Sequence, residues 1–145
     1  MRVPRGTSRR VTPEGAVKLA VQDLLTAERI WWCRQNTGSI VLGQGKSRRC
    51  FTSGRAGMAD ILALPRLWRC DRCANLRRDG SRCACGGYRT AVVMPLWIEC
   101  KRPRGGVHSL AQKEFQREVE AEGHIYLLVS DVRQVVQFLK ETIGR

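Results

Sequence analysis

Val92-Val93-Met94-Pro95-Leu96-Trp97-Ile98-Glu99-Cys100-Lys101 is an apolar run that ends in an acid, a thiol and a base. Side chains of a strand alternate faces, so Glu99 and Lys101 share one face while Ile98 and Cys100 take the other. A carboxylate at the end of a buried strand is costly unless a cation compensates it. A second acid stands at the start of another apolar run, Gly57-Met58-Ala59-Asp60-Ile61-Leu62-Ala63-Leu64. If the two strands are neighbours, Asp60 and Glu99 can hold a divalent cation through oxygen, with the Lys101 ammonium beside a water that attacks a phosphodiester. Taken alone, Asp-x(n)-Glu-x-Lys also suits two ordinary strand-edge acids.

Outward from this run, Arg102-Pro103-Arg104-Gly105-Gly106-Val107-His108 is a glycine-rich loop. Ser109-Leu110-Ala111-Gln112 then has the form of a capping box and opens a helix to about Glu122, with Gly123 as its stop. His124 to Val129 reads as a strand, and Asp131 caps a last helix striped by Val132, Val135, Val136, Leu139 and Ile143. Upstream, Thr12-Pro13 begins a helix over 13–28 with Val17, Ala20, Val21, Leu24 and Leu25 at helical spacing. Ile30 to Arg34 is a strand, Gly38 to Gly45 a turn or hairpin, and 46–57 a basic loop leading to the strand Ala59–Leu64. The order fits an α/β fold: a mixed central sheet flanked by helices on both faces. Residues 1–11 read as a basic flexible arm, leaving one domain over 12–145, long enough for a single enzyme core.

Residues 66–90 break the pattern with cysteine, arginine and glycine, and read as an insertion that adds little to the packing of the core. Cys70-x-x-Cys73, nine residues, then Cys83-x-Cys85 places four thiols within sixteen positions. Four soft ligands suit tetrahedral zinc, although the second pair is one residue tighter than usual. The alternative is four free thiols, in a segment with few apolar residues to fold around; zinc would supply that missing core. Arg66, Arg69, Arg72, Arg77, Arg78, Arg82 and Arg89 surround them, either as a solvated loop or as a finger clamping DNA. Cys33 and Cys50 lack partners at metal spacing, and Trp31, Trp32 and Trp97 read as core. Trp68 could stack on a base, and His108 and His124 stand in no acyl-transfer arrangement.

The 26 basic and 13 acidic residues give a net charge of +13, which points to a polyanionic partner. The longest apolar stretch, Ala91 to Ile98, falls well short of the ~20 residues that span a bilayer. With no apolar leader at Met1 to Gly6, the expectation is a soluble, cytoplasmic, unsecreted protein without a membrane partner. The seven cysteines then favour metal ligation over disulfides.

The chain resembles the VRR-NUC branch of the PD-(D/E)XK nuclease superfamily. The likeness rests on Glu14, Trp32-Cys33-Arg34-Gln35-Asn36-Thr37-Gly38, Gly57-Met58-Ala59-Asp60, Glu99-Cys100-Lys101, Ser109-Leu110-Ala111-Gln112 and the apolar strand after Gly123. It covers nearly all of the chain outside 66–90 and departs from the family at Met58-Ala59, where a proline or small polar residue is commoner. The resemblance implies a restriction-endonuclease-like core. It also implies Mg²⁺ (or Mn²⁺) on Asp60, Glu99, the Cys100 carbonyl and Glu14, with Lys101 orienting or deprotonating the water. Gln112 would orient the nucleophile or a phosphate, and Asn36 would border the site. An acid in a first helical turn is also favoured by the helix dipole alone, Gln112 is also explained by its capping box, and Asn36 by a plain turn. Arg34, Asn36, Lys46, Arg48, Arg49, Arg55, Arg102, Arg104 and Lys113 are the expected DNA contacts. The implied activity is Mg²⁺-dependent cleavage of branched DNA, such as four-way (Holliday) junctions, by a homodimer. The alternatives are a non-specific or restriction-type duplex nicking nuclease, and a non-catalytic zinc-finger DNA-binding protein.

Overall fold

A computed structural model describes the backbone of residues 11–35, 39–42, 49–52 and 54–141, and the side chains of 11–35 and 54–141. Thr12 Oγ1 accepts the Gly15 N–H at 3.0 Å and Pro13 opens helix α1, Pro13–Ala27. Val17, Val21 and Leu25 recur every fourth residue, so α1 buries one stripe. β1 (Trp31–Arg34) follows, then a hairpin of β2 (Ser39–Leu42) and β3 (Arg49–Thr52). β4 (Ile61–Leu64) lies antiparallel to β1, with Trp31 opposite Leu64 and Arg34 opposite Ile61.

Next come β5 (Arg66–Cys70), β6 (Leu76–Arg77) and β7 (Arg89–Val93), a small antiparallel sheet ordered β6-β5-β7. The chain re-enters the main sheet as β8 (Leu96–Cys100), antiparallel to β4. Helix α2 (Leu110–Ala121) crosses over to β9 (Ile125–Val129), which runs parallel to β8, and α3 (Val132–Glu141) follows. Parallel neighbours require such a crossover. The main sheet is therefore mixed, in the order β1-β4-β8-β9.

The alternation along β8 sorts the core into two layers. Leu96, Ile98 and Cys100 join Val17, Val21 and Leu25 of α1 and Val135 and Leu139 of α3 in one cluster. Trp97 points the other way, to Ala59, Phe115, Val119 and Tyr126. Thus α1 and α3 cover one face and α2 the other. Fully buried side chains such as Leu25, Ile61, Leu96 and Ile98 each contribute about 1.5–3 kcal/mol relative to exposure. Among the described residues, no helix is long and apolar enough to cross a membrane.

Some local expectations shift. The strand expected at Ala59 begins at Ile61, and Asp60 occupies a bend just before it. There the Asp60 carbonyl accepts the Gln35 N–H at 2.8 Å, so its backbone is still tied to the β1 side. The segment read as a basic loop over 46–57 contains β3. The insertion is anchored more deeply than its composition suggests, because Leu67 is fully buried in the main core and Leu76 and Val92 pack against it. Arg78 also pairs with the Glu28 carboxylate and donates to the Glu28 carbonyl at 2.5 Å, tying the insertion to the end of α1. The arm at residues 1–10, Asn36, Lys46, Arg48 and Ile143 lie outside the described residues, as does the Arg49 side chain.

Candidate functional site

Glu99 is 3 % exposed and is the one buried charged residue among those described. It faces α2 because it lies two residues from Trp97 on the same strand. Lys101 Nζ stands 2.8 Å from its Oε1, and the Gln112 amide donates to that same oxygen. Gln112 Oε1 in turn accepts from Lys101 Nζ at 2.8 Å and from the Ser109 N–H at 2.9 Å. The residue that caps α2 therefore also bridges the acid and the base, and helix start and charged cluster are built from one side chain. Burial pushes the Glu99 carboxyl above its usual range despite the Lys101 hydrogen bond, and the Asp60 charge adds to the push.

Asp60 reaches the same strand end from β4. Its Oδ2 accepts the Cys100 N–H at 2.9 Å, and its Oδ1 meets Lys18 Nζ at 2.6 Å. Two glycines make room for this approach. Gly57 has φ +79°, and a Cβ there would lie 2.2 Å from the Ala111 carbonyl oxygen, so the loop before Asp60 passes directly against the first turn of α2. A Cβ on Gly106 would lie 2.7 Å from Lys101 Cβ. The Cys100 side chain points into the opposite core layer, and burial pushes its thiol up to about 12, so it remains protonated.

Asp60, Glu99, Lys101 and Gln112 are thus drawn into one cluster. Glu14 makes no bond to it among the described residues, although its charge reaches Cys100. It lines a groove of about 460 Å³ with Lys18, Leu19, Gln22 and Arg34. Arg55 is held by Glu118, both contacts at 2.5 Å, and lies over the Phe115 ring. Arg102 closes its own loop onto the Gly105 carbonyl at 2.9 Å, while Arg34, Arg104 and Lys113 are exposed. The sequence reading missed Lys18. Its one signal was the Glu14-x-x-x-Lys18 spacing, which puts both on one side of α1. His108, given no site role from the sequence, places its Nε2 3.3 Å from the Tyr126 hydroxyl.

In the insertion, the Sγ atoms of Cys70, Cys73, Cys83 and Cys85 all lie within 4.8 Å of one another. The contacts Cys70–Cys85 and Cys73–Cys83 are both 3.5 Å, and Cys83–Cys85 is 3.4 Å. Zinc–sulfur bonds of ~2.3 Å in a tetrahedron put sulfurs ~3.8 Å apart, so the four thiols form a cage compatible with zinc. Cys70 ends β5, and a Cβ on Gly87 would come within 2.5 Å of its sulfur, so only glycine fits there. The Cys85 N–H and thiol hold Cys83 down to about 6. Cys85, although the Gly87 N–H favours its thiolate, is pushed up to about 12 by Cys83 and Cys70. Beside the cage, Arg77, Arg82 and Arg89 line a cavity of about 490 Å³.

Comparison with protein-family models, with curated proteins and with solved structures returns no match to this chain.

Proposed function

We propose that the chain is a Mg²⁺-dependent DNA endonuclease with a PD-(D/E)XK core of the VRR-NUC type, carrying a zinc-holding finger. The observation that supports this best is Glu99, a buried carboxylate bonded to Lys101 and Gln112, with a second carboxylate, Asp60, bonded to the next residue's amide. The donor set suits a hard divalent cation: carboxylate oxygens just before β4 and on the adjacent β8, one of them buried enough to resist ionising without a counter-charge. When bound, the cation neutralises the scissile phosphate and lowers the pKa of its water. Asp60, Glu99 and the Cys100 carbonyl are the groups assigned to hold it. Lys101, pinned between Glu99 and Gln112, orients the attacking water or helps remove its proton. Gln112 fixes both partners through a helix cap that is already rigid. In-line attack would leave a 5′-phosphate and a 3′-hydroxyl.

The cationic surface and the arginine-lined cavity of the finger suit DNA, and branched DNA is the proposed substrate. A panel of labelled linear duplex, flap and four-way-junction DNAs with Mg²⁺ tests this. Preference for the junction is the expected result. Equal cutting of linear duplex moves the assignment to a general nicking nuclease, and binding without any cleavage moves it to a zinc-finger DNA-binding protein.

A further inference from the structure

We propose that Lys18 is a built-in counterion of the carboxylate site, which holds the place of a divalent cation on Asp60 and becomes a DNA-phosphate ligand once a cation displaces it. The inference rests on the nuclease reading and extends it to a residue that reading does not use. Each acid of the cluster carries its own ammonium: Lys101 on Glu99 at 2.8 Å and Lys18 on Asp60 at 2.6 Å. The two ammoniums are held differently. Lys101 has a second acceptor, Gln112 Oε1, and its side chain is 13 % exposed. Lys18 has no second acceptor among the described residues and is 18 % exposed. A divalent cation arriving on Asp60 therefore displaces Lys18 at the cost of one ion pair, whereas moving Lys101 breaks two contacts.

The released side chain has somewhere to go. Lys18 lines the groove that also contains Glu14 and Arg34 and opens to solvent. Lys18 and Arg34 both line that groove, two cationic side chains suited to a backbone phosphate next to the scissile one.

The experiment uses the full, zinc-loaded chain without DNA, titrated with Mn²⁺ and followed by the EPR signal of the free ion. Lys18→Gln should bind Mn²⁺ about twofold to fivefold tighter than wild type, because a competing cation is gone. Lys18→Arg should stay near wild type. Melting curves show that each variant folds. In Ca²⁺, Lys18→Gln should bind DNA several-fold more weakly, with the log–log salt slope shallower by about 0.9, the value for one lost phosphate contact. Mn²⁺ affinity that is unchanged or weaker in Lys18→Gln overturns the proposal, as does an unaltered salt slope; a merely structural ion pair gives those results. Asp60→Asn separates the two levels. If it leaves Mn²⁺ binding intact, the carboxylate site is not the metal site, and both the nuclease reading and the role of Lys18 fall.

Discussion

At the scale of single residues, Glu99 is the one buried charged group among the described residues. Its carboxyl is raised by burial, so over the window from the ordinary carboxylate value up to its folded value the native state holds a proton the unfolded chain has released. The stability Glu99 contributes is therefore present at low pH and lost as pH rises through that window. Glu99→Gln should remove this decline and leave the metal-free protein at least as stable as wild type at neutral pH. It should also abolish stabilisation by Ca²⁺. Thermal melts across pH, in EDTA and in Ca²⁺, check both, and a variant that declines with pH as wild type does would contradict the burial argument. Glu99, Lys101 and Gln112 were legible in the sequence because a strand's period of two and a capping box are local rules. Lys18 was not, because its partner Asp60 is brought to it by the packing of α1 on the sheet.

At the scale of elements, helix boundaries were readable where caps announce them: Thr12-Pro13 for α1 and Ser109 with Gln112 for α2. The β2–β3 hairpin was only half visible, since Arg49–Thr52 lies among basic and glycine residues and is defined by its pairing. Leu67 was misjudged for the same kind of reason, because its burial comes from contacts far along the chain. Gly57 joins two elements, letting the loop before β4 pass under α2, so Gly57→Ala combines a strained φ with a backbone clash. A stability loss of about 1–3 kcal/mol and a displaced Asp60 are expected, read by chemical denaturation and by loss of cleavage. A fully stable and active Gly57→Ala would show that the loop does not position the acid. In the finger, purified protein should carry one zinc per chain. Chelation, or Cys73→Ser with Cys85→Ser, should raise hydrogen exchange over residues 71–88. Exchange at Leu67 and in β4 and β8 should stay slow, because those strands pack on the apolar core. A zinc-free native protein, or exchange that rises in β4 and β8 as well, would contradict this division.

At the scale of the whole molecule, a net charge of +13 would make the proposed DNA affinity steeply salt-dependent and sets copies of the chain against one another. Resolving a four-way junction takes two symmetric incisions, and one Asp60/Glu99/Lys101 set would cut one strand, so a two-fold homodimer is the proposed assembly. Trp31, read as core from the sequence, is instead 57 % exposed because it starts an outer strand of the main sheet, while Trp32 and Leu24 pack against the main core. Sedimentation in moderate salt should show a dimer, and paired nicks should appear on junction DNA. A strict monomer that cuts linear duplex equally well would contradict this assembly. Phosphodiester cleavage by the proposed Asp60–Glu99–Lys101 cluster is tested by comparing Asp60→Ala, Glu99→Ala and Lys101→Ala with Cys100→Ser. Mg²⁺-dependent turnover and DNA binding in Ca²⁺ are measured on the same preparations. Each alanine variant should lose cleavage while still binding DNA, and Cys100→Ser, whose side chain lies in the opposite core layer, should still cut; wild-type turnover in any one of the three alanine variants would contradict the assignment.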